Sequence, residues 1–231
     1  MENISKKVKE EKKIIKPIVI GNISKPLDKP ITDSCGKSRT HEWMIFVKPY
    51  LNEDISKYIK KIQFKLHESY DNNVRVVETP PYQVCETCWA ESEVMIKIFF
   101  IDSGEKPITL YHYVRIKEDG ATFVGEDGTI VAEHYDELIF KEPSPLMERS
   151  LIEAVKKNEV NNSQFWTNFE NSKKIQMEQI IKARKIIQKE IDDLKKSIID
   201  GQELLRTKSK ELQNILNSKE ESDTSQGREY R

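Results

Sequence analysis

Cys85-Glu86-Thr87-Cys88 has the spacing of a zinc knuckle, in which four thiolate or imidazole ligands close a tetrahedral site. No second Cys-x-x-Cys and no closely spaced histidine pair follows, so only Cys35 and His41 are left to complete a metal shell. A redox role needs a helix N-terminus to lower the thiol pKa, and this segment reads as a strand running into a turn. The four histidines are His41, His67, His112 and His134. A strand-borne imidazole such as His112 packs more often than it catalyses. Glycine-rich phosphate loop, nucleophile elbow and metalloprotease helix are all missing from the sequence. These residues predict a protein that is not an enzyme, with no metal and no cofactor.

Aromatic side chains offer a different chemistry. Tyr70 closes His67-Glu68-Ser69-Tyr70, and Trp89 follows Cys88. Both lie where strands give way to loops. Two aromatic faces at one end of a sheet make a slot for a flat amide, held by stacking. A hydroxyl such as Ser69 and a backbone N–H then satisfy the amide, which must not be buried unpaired. The same residues also fit a plainer reading, in which loop aromatics cap a core.

These side chains need a frame, and the punctuation of the chain describes it. Every proline lies between Pro17 and Pro145, and after Pro145 only Gly201 and Gly227 interrupt the chain. In the first part, apolar residues alternate over Lys61–His67 and again over Ile108–Ile116, the period of half-buried strands. Trp43–Val47 and Val94–Ile101 are near-continuous runs of β-formers, as expected of inner strands. Asp102-Ser103-Gly104 and Glu126-Asp127-Gly128 signal turns. Short strands with no helical pattern between them predict an antiparallel sandwich or barrel.

The period changes at Ser144, a suitable N-cap followed by Pro145 at the first helical position. A heptad then emerges. One seam position takes Met177, Arg184, Ile191, Ile198, Leu205 and Leu212; the other takes Ile180, Ile187, Leu194, Gly201, Lys208 and Ile215. Such a repeat predicts a coiled coil, with a long helix folded back on the sandwich as the alternative. Arg184, Gly201 and Lys208 are its defects. Ser218 onward reads as a disordered tail.

The 231 residues suffice for one domain and an extension. Net charge is -1 and mean hydropathy -0.66, so no overall positive field draws the chain to nucleic acid. Lys6, Lys7, Lys9, Lys12 and Lys13 form an N-terminal arm with acidic neighbours, and little direct DNA binding is expected. No apolar run approaches the roughly 20 residues of a membrane helix, and the N-terminus lacks a secretory signal. Three cysteines form no even framework, which favours a reducing compartment.

The chain resembles the YEATS-domain family, in particular the branch found in chromatin-remodelling and histone-acetyltransferase complexes. The matching text is Thr40-His41-Glu42-Trp43, Val47-Lys48-Pro49-Tyr50, Asn52-Glu53-Asp54-Ile55, Lys60 to Tyr70, Pro80-Pro81-Tyr82, Ile96 to Asp102, Thr109-Leu110-Tyr111-His112 and Tyr135-Asp136-Glu137. The resemblance implies an all-β immunoglobulin-like sandwich over 16–142, after a flexible arm 1–15. A helical connector 143–170, a C-terminal coiled coil 171–217 and a disordered tail 218–231 complete the expected organisation. It further implies a nuclear reader of acetyl- or crotonyl-lysine on histone tails, working in transcription regulation. On that pattern Tyr70 and Trp89 enclose the acyl group, Ser69 bonds its amide, and His67 supports the wall. The Trp89 N–H donates to the acyl carbonyl, and Cys88, Ala90 and Arg39 line the slot. The coiled coil then dimerises or docks into the host complex.

Three positions depart from the family pattern. Cys88 stands where glycine is usual, Ser92 where an aromatic is common, and Arg39 where relatives carry an aromatic or histidine. A side chain at Cys88 is costly if the backbone there needs positive φ. A structural subunit with a degenerate slot, working through its coil, is the alternative function.

Overall fold

β-Branched residues and proline positions decide the strand order. The computed structural model describes residues 11–32, 36–119, 122–160 and 164–226. The first strand, β1 (Lys13–Thr32), carries Ile14, Ile15, Ile18, Val19, Ile20 and Ile23, side chains suited to a pleated surface. It lies between β2 (Ser38–Pro49) and β10 (Ile130–Lys141). Its prolines sit where a ladder donor is not needed. Pairing with β2 begins at Ile18, just past Pro17; pairing with β10 ends at Ser24, just before Pro26.

Between β2 and β10 come β3 (Leu51–Glu53), a 3-10 turn (Ile55–Lys57), β4 (Ile59–Lys65) and β5 (Val74–Val77). They are followed by β6 (Tyr82–Cys88), β7 (Ser92–Phe100), β8 (Ile108–Val114) and β9 (Phe123–Val124). One antiparallel sheet runs β6-β2-β1-β10-β9 and a second runs β5-β4-β7-β8. Period two places Ile62, Phe64, Val94, Ile96 and Ile98 from one sheet against Ile18, Ile20, Trp43, Ile45 and Val47 from the other, all buried. This is the sandwich that the sequence predicts.

The continuous apolar run of β2 has a specific cause: both faces of its sheet are covered. Phe46 leaves the main core and joins Val19 and Tyr50 on the outer face, with Phe165 and Phe169 packed against them. Gly21 lies beneath that cover. A Cβ there would meet Ala132 O at 2.7 Å and Phe46 Cζ at 2.8 Å, so the close approach requires glycine.

Two buried polar links cross the core. Lys16 Nζ meets Glu53 Oε2 at 2.7 Å, and Tyr58 OH donates to Glu53 Oε1 at 2.8 Å. Burial and the adjacent carboxylate push the Tyr58 phenol well above its ordinary range. Asn22 joins the two sheets. Its Oδ1 accepts from the Arg115 N–H, its Nδ2 donates to the Arg115 carbonyl at 2.9 Å, and His112 Nε2 lies 3.0 Å from that Oδ1.

Ser144 caps α1 (Pro145–Glu153) as its sequence predicts, its Oγ accepting the Met147 N–H. Met147, Leu151 and Ala154 then close one end of the core. The stretch 143–170 is not a helical connector throughout. After α1 the chain forms β11 (Val155–Val160), antiparallel to β3. The free edge of β3 and the β-branched Val155 and Val160 win over helix propensity there. Nor does the arm extend to residue 15. Strand β1 starts at Lys13, and Lys12 binds Glu142 through its N–H and Glu148 through its ammonium. Residues 1–10 lie outside the described residues.

The chain divides into two compact units, Met1–Phe169 and Glu170–Arg231. The described part of the second is α2 (Phe169–Gln226), which begins at the last residue of the first unit; residues 227–231 lie outside the described residues. The helix continues past 217, where a tail was expected, because no proline or glycine stands between Gly201 and Gly227. Among the described residues no helix is long and apolar enough to cross a membrane.

Candidate functional site

At the end of the sandwich opposite α1, four segments converge: the start of β2, the loop after β4, the end of β6 and the start of β7. The loop after β4 turns tightly. Leu66 N–H bonds Asn73 O at 2.7 Å, Tyr70 N–H bonds His67 O at 3.1 Å, and Asn72 takes a left-handed φ of 49°, which asparagine tolerates. Leu66 is buried and anchors the loop, leaving His67 and Ser69 exposed at its tip. His67 Nδ1 lies 3.0 Å from Ser69 Oγ and accepts the Ser69 N–H. The imidazole therefore orients that hydroxyl.

Tyr70 points back into the wall. It is 8% exposed, its ring meets Trp43 edge-on at 6.2 Å, and its OH accepts from Trp43 Nε1 at 3.2 Å. The same OH donates to Thr87 O at 3.0 Å. Burial, foremost, pushes its phenol pKa up, so the hydroxyl stays protonated and can keep donating. Sequence reasoning missed this chain. Its signal is the buried indole, which needs an acceptor for its N–H.

Trp89 stands on the turn between β6 and β7, 45% exposed. Glu91 fixes that turn: its Oε1 accepts the N–H groups of Ile116 and Lys117, and Oε2 faces Arg115 Nη1 at 3.5 Å. Ala90 lies between Trp89 and this anchor, and Ser92 begins β7 opposite Val114. A cation lies over each aromatic of the pair. The Arg39 guanidinium is 5.0 Å from the Tyr70 ring centre, and Lys37 Nζ is 4.6 Å from that of Trp89. Arg39 also donates to Thr87 O at 2.7 Å.

Cys88 pairs with His41 across β6 and β2, and its side chain belongs to the core. Burial pushes its thiol up to about 11, which makes it inert as a nucleophile. Positive φ is not required there: among the described residues the non-glycine ones with positive φ are Asn72 and Glu142. Cys85 is exposed, on the other face of the same strand. Residues three apart on a strand point oppositely, so the Cys-x-x-Cys spacing does not form a chelate. No metal-ligating cluster occurs among the described residues, and Cys35 lies outside them.

Concavities lie elsewhere on the sandwich as well. One of about 510 Å³ is lined by Trp43, Met44, Cys85, Glu86 and Thr87 among others, and one of about 300 Å³ by Tyr111, His112, Tyr113 and His134 among others. Neither includes Tyr70 or Trp89. The Tyr70–Trp89 end is distinguished instead by an exposed indole, an oriented hydroxyl and anchored loops, the parts needed to hold a small amide.

A family model described as the YEATS family matches residues 38–118. The AF-9 homologue of Saccharomyces cerevisiae is 30% identical over 217 residues, covering 84% of this chain and 93% of that protein. The AF-9 homologue of Emericella nidulans is 43% identical over 136 residues, 56% of this chain. The chain spans about half the length of that relative, 49%. Among solved structures, the Yaf9 YEATS domain bound to H3K27ac matches with a TM-score of 0.54 and 34% identity, over 62% of this chain and 96% of that one. The same domain recognising an H3K122suc peptide gives 0.52 and 33%, over 62% and 96%.

Proposed function

This chain belongs to the YEATS family, and on that premise we propose that it reads acylated lysine on histone tails as a non-catalytic subunit of a nuclear chromatin-remodelling or histone-acetyltransferase complex. The observation that carries this reading is the pair formed by the His67–Ser69 hydroxyl and Trp89 on two anchored loops at one end of the sandwich. The acyl-lysine amide lies against Trp89, with Tyr70 forming the opposite wall. Ser69 Oγ and the Trp89 backbone N–H satisfy the amide, while Arg39, Cys88 and Ala90 complete the surround. Acylation switches binding on because it removes a charge. An unmodified ammonium would have to shed water beside Arg39 and Lys37, at a cost of several kcal/mol. The related Yaf9 domain was solved with acylated H3 peptides, which supports the ligand class. The α2 helix is the element through which the chain joins its complex.

Trp89→Ala tests the slot. The indole is exposed and on a turn, so its loss should leave the melting temperature almost unchanged. Affinity for an acetylated or crotonylated histone peptide should fall at least tenfold, about 1.4 kcal/mol, by calorimetric titration. Full-strength binding by the variant would refute the assignment. The second reading is a slot closed by Arg39, whose guanidinium already covers a face of Tyr70. It predicts no discrimination between acylated and unmodified peptides.

A further inference from the structure

The two sheets differ in what lies on their outer faces. Phe165 and Phe169 pack over the outer face of the β6-β2-β1-β10-β9 sheet. On the β5-β4-β7-β8 sheet the corresponding side chains stand open to solvent: Val76, Tyr111 and Tyr113 are 48%, 62% and 45% exposed. Three lysines share that face. Period two turns Lys61 and Lys65 of β4 and Lys97 of β7 away from the core. None of the three forms an ion pair among the described residues. Lys61 and Lys97 are held by a ring instead: their ammoniums lie 5.2 and 5.4 Å from the centre of Phe99. Two like charges therefore stand close together without a counter-charge. Glu93 is the single carboxylate in these four strands. The net charge of -1 for the whole chain averages this local excess away.

Strand register sorts the charges from the rings. Lys65 faces Met95, and Met95 faces Tyr111, in one row across β4, β7 and β8. The rows beside it set Lys97 between Gln63 and Thr109, and Glu93 against Tyr113. Neighbouring strands lie about 4.8 Å apart, so the lysines of β4 and the tyrosines of β8 form two lines about 10 Å apart. Tyr111 and Tyr113 stand two residues apart on one face, about 6.8 Å along the strand. Arg115 lies over Tyr113 at 4.7 Å, but it is already paired with Glu91 and Asp119, so it adds no free charge. A polyanion with flat groups on one side fits this pattern. Its phosphates meet Lys61, Lys65 and Lys97, while successive flat groups lie on Tyr111 and Tyr113. An acidic peptide satisfies the lysines and leaves the rings unused. A duplex keeps its bases inside the stack, so it leaves them unused too.

We propose that the outer face of the β5-β4-β7-β8 sheet binds single-stranded nucleic acid. The lysines hold its backbone, and Tyr111 and Tyr113 stack successive bases. Stacking tolerates any sequence because every base has a π-face. The proposal does not rest on the acyl-lysine slot, whose residues lie on the loops at one end of the sandwich. One domain then holds an acylated tail and an unpaired strand on separate surfaces.

The test uses the full chain and a labelled strand of about 12 nucleotides that cannot pair with itself, followed by fluorescence anisotropy at low salt. The strand, as RNA or as DNA, should bind about fivefold or more tightly than the duplex made from it. Three phosphate contacts give log affinity against log salt a slope of about -2, and Lys97→Gln should flatten it by about 0.7. Tyr111→Ala should weaken binding about fivefold or more, and Tyr111→Phe should retain it. Tyr111 is exposed, so both variants should melt with the unaltered chain. The N-terminal lysines can hold phosphate but cannot stack a base, so Tyr111 separates this face from that arm. Duplex binding as tight as that of the single strand, or full-strength binding by Tyr111→Ala, overturns the proposal by showing that only phosphate is held. Polyglutamate that competes as well as the strand at equal charge overturns it in favour of an acidic peptide. No binding at low salt, by protein that melts normally, overturns it outright.

Discussion

If the slot holds an acylated lysine as proposed, single side chains decide which acyl group it prefers. Arg39 lies over Tyr70 and Lys37 over Trp89, so two cations flank the place proposed for the amide. A guanidinium remains charged throughout the physiological range, and an acyl chain ending in a carboxylate gains from it. Succinyl-lysine should therefore bind more tightly than acetyl-lysine, with little change from about pH 6 to 8. Arg39→Ala should lower succinyl affinity by about tenfold, roughly 1.4 kcal/mol, and leave acetyl affinity within about threefold. Thr87 O keeps its Tyr70 donor in that variant, so the wall stays satisfied and the effect reports on the ligand. Equal losses for the two acyl groups in calorimetry would mean that Arg39 only shapes the wall. The loop positions of Tyr70, Trp89 and Ser69 were legible in the sequence because turn signals are local facts. The Trp43–Tyr70–Thr87 chain was not. It depends on the register that sets His41 opposite Cys88, and pairing between distant strands leaves no local mark. Cys88 looked costly from its type alone, yet its backbone is that of a strand end and its thiol completes the core.

Elements were legible in proportion to how cleanly they alternate. Strands β4, β7 and β8 show period two or a bounded apolar run, and each forms close to its predicted span. Strand β1 is longer than any of these and was not singled out, because Pro17, Pro26 and Pro30 resemble turn signals. Only the neighbours of β1 reveal that these prolines fall outside the doubly paired stretch. Strand β11 was hidden for a related reason: the edge of β3 creates it, not its own sequence. The link between β1 and β8 carries a pH dependence. Burial, with smaller contributions from His134 and Arg115, holds the His112 imidazole down to about 4. The folded state favours the neutral ring, so the unfolded chain binds more protons between that value and about 6.5. Stability from this group is complete above about pH 6.5 and is lost as pH falls toward 4. The loss is roughly 3 kcal/mol at most. His112→Gln keeps a donor for Asn22 Oδ1 and does not titrate. Its thermal stability should fall less steeply than wild type across that window in scanning calorimetry. Parallel slopes for the two proteins would remove His112 as the cause.

For the whole molecule, the question is where the folded body stops. The apolar aromatic cover on the outer face of the β1–β2–β10 sheet comes from beyond the sandwich strands. Phe165 stacks on Tyr50 at 6.0 Å, Phe169 meets it edge-on at 5.8 Å, and Trp166 lies 5.2 Å from Phe123. The Trp166 and Thr167 N–H groups both donate to Glu133 Oε2. The sequence conceals this second cluster because Phe165, Trp166 and Phe169 fall between the strand pattern and the heptad, and match neither period. Two truncations separate the roles. A chain ending after Phe169 retains the cover and should keep both the melting temperature of the sandwich and its acyl-peptide affinity, since the slot lies wholly within residues 37–92. A chain ending after Val160 exposes Tyr50 and Phe46 and strips Glu133 of its donors. Losing two partly buried phenylalanines costs roughly 3 kcal/mol, a fall in melting temperature on the order of 10 °C for a domain of this size. Equal melting temperatures for the two truncations would show that the segment adds nothing to the sheet it covers. If instead the chain ending after Phe169 lost peptide binding while keeping its melting temperature, the helix after Phe169 would be part of the reader itself.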